Sequence, residues 1–272
     1  MARPRDLSAM EVFNDNMADA TRLLRWAQAL KNKRRRSMRT EQREAFLTMR
    51  RMRRADLDDL DCVESDDLYI VLLPNGPRAL DKDDFTRTGT EPLLRQSVVA
   101  MAAAVEGYVH TKTQQFLTEA LDEAEAYIAE PDGKQPGVVR ALKKMNMSLM
   151  DAMELVERQR DGKRIRWNFR DMLRRELHNF SSSDPDRFGK AFSMVGKRID
   201  WKRIDKDRGL NPPKQGDAES YLDLKALAGR RNDIAHRNDR GRSKKATIRL
   251  KDVLTFRSNA IEIIAGIEKQ YP

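Results

Sequence analysis

Cysteine is almost absent: Cys62 stands alone among 272 residues. A single thiol cannot close an intrachain disulfide or build a thiolate metal cluster. Histidine is nearly as scarce, with His110, His178 and His236 scattered far apart. No ligand spacing typical of a zinc site results, so metal chemistry finds no support and no cofactor is expected. Phosphate-loop and dinucleotide glycine patterns are missing too, and Gly107, Gly133 and Gly137 read as punctuation. No apolar run approaches the ~20 residues of a membrane span. The first residues, Met1 to Asp6, lead into an amphipathic stretch and not into an apolar signal region. The expectation is a cytoplasmic protein with no membrane partner.

Charge is what the chain has in excess. Lys and Arg number 53 against 43 Asp and Glu, a net charge of +10, and charged residues make up 35% of the chain. Such a surplus favours a polyanionic partner, nucleic acid before an anionic membrane surface. The bland alternative is a soluble helical protein laced with solvated charge. Hydrophobic residues reach 39%, enough for a sizeable core.

Apolar residues recur at helical spacing almost throughout. Ser8-Ala9-Met10-Glu11 reads as a capping box, and Val12, Phe13, Met17, Ala20, Leu23, Leu24, Ala27 and Leu30 continue one face. The cations Lys31 to Arg36 read as that helix's end, and a second helix is expected from Thr40 to about Leu60. Leu68 to Leu73, followed by Pro74-Asn75-Gly76, is the one convincing strand-and-turn signal. A long helix follows from Glu91 to about Glu130, then a methionine-rich one from Val138 to about Arg160. Further helices are expected over Asn168 to Phe180, from Ser183-Asp184-Pro185 through Met194, over Asp217 to His236 and over Asp252 to Gln270. Lys202 to Gly216 reads as a loop, because Gly209 and Pro212-Pro213 interrupt it. The fold expected is an all-α antiparallel helical bundle, with an N-terminal helical hairpin and at most one short β-strand or hairpin. Residues 1–86 would form the hairpin and connector, either apart from or integral to the main fold, and residues 87–272 the main helical domain.

The chemistry concentrates in Arg231-Asn232-Asp233-Ile234-Ala235-His236. A permanent cation can hold a phosphate, and an imidazole can move its proton near neutrality. On an ideal helix Asn232 and His236 share a face, while Arg231 and His236 lie about 140° apart. Arg231 must therefore curl round, or the helix must end near the motif.

This run resembles the signature of HEPN ribonucleases, an Arg, a polar residue and, a few residues on, a His. Leu222, Leu224 and Leu227 precede it as a leucine-rich half-helix, and the alanine-rich helix carrying Glu106 lies upstream, an order similar to the RiboL-PSP type. The resemblance implies a HEPN bundle pairing about a two-fold axis, so that two motifs meet in one basic cleft. It implies metal-independent RNA cleavage by the RNA's own 2′-hydroxyl, with His236 exchanging the proton, Arg231 stabilising the transition state and Asn232 orienting the histidine or the phosphate. Glu106, costly to leave unpaired on that apolar helix, would brace Arg231 or Arg230 across the bundle and so support the site, or else stand exposed. The RNA, a tRNA or an mRNA, would be cut by a homodimeric toxin or effector of prokaryotic antiviral defence or of a toxin–antitoxin pair. An antitoxin or defence-complex partner is then expected. The rival reading keeps the fold but makes it a non-catalytic module that binds RNA or protein. Asn238 stands where some HEPN toxins carry a modifiable tyrosine, so that mode of neutralisation is missing. Arg237 stands where a glycine is frequent.

Further contacts to RNA are expected from Arg164, Arg166, Arg170, Arg174, Arg175 and Arg237. His110 reads as a core-edge histidine one turn beyond Glu106, and His178 as an RNA contact without a catalytic part. Trp167 and Trp201 sit among cations and could stack on bases, although tryptophans in such runs are more often core anchors.

Overall fold

Ser8 and Glu11 hold the start of the first helix by exchanging hydrogen bonds. The Ser8 amide donates to Glu11 Oε2 at 2.7 Å, and the Glu11 amide donates to Ser8 Oγ at 3.2 Å. Helix α1 (Ala9–Leu30) then buries Phe13, Met17, Ala20, Leu24 and Ala27, the face set by their spacing. This computed structural model describes residues 7–30, 35–37, 61–65, 68–72, 87–129, 135–144, 165–180, 182–236 and 247–272, with the isolated residues 41 and 44.

Helix α2 (Arg87–Ala129) is 43 residues long and forms the spine. It is apolar on a broad face: Leu94, Val98, Met101, Val105, Tyr108, Val109, Leu117 and Leu121 are all buried. Helix α1 lies along it so closely that a Cβ on Gly107 would stand 3.1 Å from Asn16 Nδ2 and 3.2 Å from Val12 Cγ1. Phe13 meets the ring of Tyr108 edge-on at 6.3 Å, and buried Ser97 Oγ donates to the Ala20 carbonyl at 2.9 Å. The N-terminal helix and the later ones thus share one core.

After α1 come strands β1 (Arg35–Ser37), β2 (Asp61–Ser65) and β3 (Leu68–Leu72), an antiparallel sheet in that order. The strand expected at Leu68 is there and pairs backward with β2, while Pro74-Asn75-Gly76 lies outside the described residues. Strand β1 goes beyond the single hairpin expected, and it overlaps the cationic run Lys31 to Arg36, where the sequence predicts a helix end. Of the expected helix from Thr40 to Leu60 only Glu41 and Glu44 are described, both helical. Its remainder and the methionine-rich segment beyond Lys144 lie outside the described residues.

The bundle continues through α3 (Gly137–Lys144), α4 (Ile165–Phe180), α5 (Pro185–Met194), α6 (Trp201–Asp207), α7 (Glu219–His236) and α8 (Leu250–Gln270), giving eight helices among the described residues. Asp184 caps α5 by accepting from the Asp186 amide at 2.9 Å, with Pro185 in the first turn as its fixed φ prefers. Helix α8 buries Val253, Ala260, Ile263, Ile264 and Ile267 against the spine. Its Glu268 accepts from Tyr108 Oη at 2.7 Å and from Lys112 Nζ at 2.9 Å. Burial, reinforced by that hydrogen bond, pushes the Tyr108 phenol far above its ordinary range. Among the described residues no helix is long and apolar enough to cross a membrane.

Helix α6 corrects the loop expected over Lys202 to Gly216. Asp200 starts it by accepting from the Arg203 amide at 3.1 Å, and Ile204 anchors it in the core. The helix is short, and Lys202, Arg203, Lys206 and Asp207 face solvent, which hid it behind the breakers that follow. It has a structural task. The fully buried carboxylate of Asp205 accepts from the Glu219 amide at 2.9 Å and the Ser220 amide at 2.8 Å, the first turn of α7. Just beyond α6, Arg208 bonds to Ser220 and Asp223 on α7 and to Asn259 and Glu262 on α8, at 2.9–3.0 Å.

Replacing Asp205 by alanine orphans those two amide donors. The variant is expected to lose about 1–3 kcal/mol of stability. A urea titration that found less than about 0.5 kcal/mol would remove Asp205 from its place as the anchor of α7.

Candidate active site

Helix α7 carries the motif on its last two turns and ends at His236. Ile234 packs against the core, which sets the rotation of those turns. Asn232 and His236 are therefore exposed, while Arg231 and Arg230 are half-buried on the adjoining side. Arg231 does not curl toward His236. Its Nη1 donates to Asn232 Oδ1 at 3.1 Å, and its Nη2 lies 3.9 Å from Glu106 Oε1 on α2. The same Glu106 oxygen accepts from the Ser183 amide at 3.4 Å, at the junction of α4 and α5. One carboxylate thus draws together three parts of the chain. Because the Asn232 oxygen is engaged by Arg231, its amide NH₂ is left to donate outward.

A polar seam runs on from Glu106. Residues Glu106, His110 and Gln114 recur one turn apart on α2, and α4 meets them in antiparallel order. The rings of His110 and His178 meet edge-on at 5.5 Å. Arg174 Nε donates to Gln114 Oε1 at 3.0 Å and also lies 3.9 Å from Asp171. Burial holds the His110 imidazole below its ordinary range, and the adjacent His178 and Arg174 push the same way.

Of the arginines expected to meet RNA, Arg174 and half-buried Arg170 lie along this seam, two turns of α4 leading to His178. Arg175 is exposed on the neighbouring face. Arg166 is part of α4, and Arg164 and Arg237 lie outside the described residues, as does Asn238. Trp201 is half-buried and packs against the core, in contact with Phe188 at 5.9 Å and Tyr221 at 5.7 Å. Of the leucine-rich half-helix before the motif, Leu224 and Leu227 are buried and Leu222 is 48% exposed. Sequence reasoning missed Ser183 and the Asp205 and Arg208 anchors. It also missed a cluster in which Tyr221 Oη donates to Asp186 Oδ1 at 2.6 Å, with Lys225 Nζ 3.2 Å from that hydroxyl. The four-residue spacing of Tyr221 and Lys225 was the available signal. Among the described residues, no group of three or more His, Cys, Asp or Glu side chains could hold a metal ion.

A family model described as RiboL-PSP-HEPN matches residues 78–271. The chain belongs to the RiboL-PSP-HEPN family. This is a family of predicted ribonucleases, and HEPN ribonucleases act on RNA and often dimerise. No curated protein and no solved structure matches the chain. The HEPN match takes in α2 to α8 and leaves out α1, although α1 fills the same core.

The seam yields a titration with a definite sign. His110 binds its proton less readily in the fold than in the unfolded chain, so stability is expected to fall as pH drops through the ordinary histidine value of ~6.5. His110→Gln should flatten that acid limb in urea titrations. In an NMR titration His110 should protonate below the ordinary value and move up toward it in His178→Gln. A His110 that titrates at or above ~6.5 in the parent protein would contradict the seam.

Proposed function

We propose that this chain is a metal-independent endoribonuclease whose site is built on Arg231, Asn232 and His236. The observation that carries the reading is their arrangement. Arg231 and Asn232 are bonded into one donor-rich unit, and His236 stands exposed one turn beyond Asn232. In the proposed reaction His236 accepts the proton of a ribose 2′-hydroxyl, whose oxygen attacks the adjacent phosphorus. The P–O5′ bond breaks, and the 5′-oxygen leaves with a proton from a second imidazole. The products are a 2′,3′-cyclic phosphate and a 5′-hydroxyl. Arg231 and the Asn232 amide hold the phosphoryl oxygens as their charge grows.

Each protomer offers one His236, so the chemistry calls for two motifs facing across a homodimer. Glu106 aims the guanidinium, and Arg230 and Arg237 add positive potential beside it. Arg174, Arg175 and Arg170, with Arg164 and Arg166 before them on the chain, would guide the strand along α4. We take α2 to α8 as the catalytic domain and α1, which packs into the same core, as integral to it, with the other residues before 87 as its N-terminal attachment. Such an activity, left unrestrained, would destroy tRNA or mRNA. That suits a toxin or antiviral effector held in check by an antitoxin or a larger defence complex in the cytoplasm.

One observation favours the rival, non-catalytic module. Glu106 stands 3.9 Å from Arg231, and a phosphate must compete with that carboxylate. The two readings part in a cleavage assay. The wild-type chain is expected to cut RNA in the presence of a chelator and to be toxic when expressed. Arg231→Ala and His236→Ala should each stay folded, lose about 10²–10⁴-fold in rate and be harmless. Full activity in both variants would discard the catalytic assignment, and a wild type that binds RNA but never cuts it would establish the binding module.

A further inference from the structure

Away from the motif, at the other end of α7, an open pocket of about 630 Å³ lies between the start of α6, the chain around Gly216 and the face of Tyr221. Its volume is within the usual range for small-ligand sites. Two aromatic rings line it, Trp201 and Tyr221, meeting at 82°. Both are held from behind. Phe188 backs the Trp201 ring at 5.9 Å, and the Tyr221 hydroxyl is tied to Asp186 at 2.6 Å. That bond holds the phenol above and the Asp186 carboxyl below their ordinary ranges.

The wall is braced as well. Tyr271 Oη accepts from the Arg198 amide at 3.0 Å and donates to the Arg198 carbonyl at 2.6 Å. Gln270 does the same for Asp200, at 3.1 Å from its amide and 2.9 Å from its carbonyl. The pocket is preformed, which lowers the cost of ordering on binding.

Its charge selects the ligand. The carboxylates of Asp186, Asp200 and Asp217 line it beside the cations Arg198 and Lys202. Three anions repel a bare phosphate, whereas a flat π-system suits the rings and a carboxylate accepts from an exocyclic amine. Asp186 is tied through both oxygens to Tyr221 and Lys225, and Asp200 caps α6 through one of its own, so exposed Asp217 at the rim is the carboxylate best placed to accept from such an amine. Arg198 and Lys202 can meet the phosphates on either side.

Helix α7 connects this pocket to the motif. Lys225 and Asn232 lie about 40° and 20° round the helix from Tyr221, so the three share a face. Tyr221 and Asn232 are about 16 Å apart along the axis. A stacked strand covers that distance in about five nucleotides at ~3.4 Å each. Lys225, exposed between them, is placed to meet a phosphate on the way.

We propose that the pocket of Trp201 and Tyr221 is a nucleobase subsite for the RNA strand that reaches Arg231, and that it takes an amino-bearing base in preference to uracil. The proposal rests on the ribonuclease reading of the motif, but its test reads binding and not cleavage. In the full 272-residue chain carrying His236→Ala, affinity for labelled single-stranded RNA of about five to eight nucleotides would be measured by anisotropy. Trp201→Leu is expected to weaken binding about tenfold, while Trp201→Phe keeps most of it. RNA should quench tryptophan emission in the parent and lose most of that quenching in Trp201→Phe. Asp217→Asn should erase the preference for an amino-bearing base over uracil. Should Trp201→Leu fail to fold, Asp217→Asn and Lys202→Ala carry the test at the surface. RNA that binds with no response to any of these changes, while the chain with His236 intact still cuts it, overturns the subsite and leaves the nuclease standing. A chain that neither binds nor cuts RNA overturns both. Free nucleoside monophosphates that bind as tightly as the oligonucleotides would make this a separate small-ligand site and overturn the proposal as well.

Discussion

The buried carboxylate of Asp205 sets the position of the helix that carries the motif. Its two oxygens take the amides of Glu219 and Ser220, donors that the first turn of any helix leaves unpaired. A negative charge at that end also suits the helix dipole. Arg208, 7% exposed in its side chain, then ties the same turn to α8 through Asn259 and Glu262. A helix fixed so firmly at its start can present its last two turns to solvent without fraying loose. Arg231, Asn232 and His236 are the beneficiaries.

The charge surplus of the whole chain says little about the local arrangement. Where the guanidinium of Arg231 is held, a carboxylate holds it. Where Arg174 reaches across to α2, it meets the neutral Gln114. Where α7 begins, cations and carboxylates alternate around two aromatic rings. Net charge can attract a polyanion from a distance, but these pairings decide which atom of it sits where. Glu106 is the clearest case, since it stands 3.9 Å from the very cation that the proposed reaction gives to a phosphate.

Features written into a few adjacent residues were legible in the chain. Ser8 with Glu11, Asp184 with Pro185, and the apolar periods of α1 and α2 each describe a local physical preference, and the structure follows them. The family resemblance was legible for the same reason, and the family match agrees with it. Features that depend on distant partners were not. Helix α6 is a short, mostly polar turn whose stability comes from Ile204 in the core and from its bonds to α7. Strand β1 lies in a run of cations that local propensity assigns elsewhere, and only its pairing with β2 makes it a strand. The edge-on contact of His110 and His178, and the turning of Arg231 to Glu106 and away from His236, are tertiary facts with no signature in spacing.

Gly107 comes directly after Glu106, and the two look in different directions from the same turn of α2. One faces the motif; the other admits α1 to within ordinary touching distance. The helix outside the family's matched span is therefore the back wall of the turn that positions Arg231. A fragment trimmed to residues 78–271 would bare the trough that Phe13, Met17 and Leu24 fill, leaving an apolar stripe along the spine beneath Glu106. The smallest piece of this chain that can carry the site intact is larger than the piece that carries its family signature.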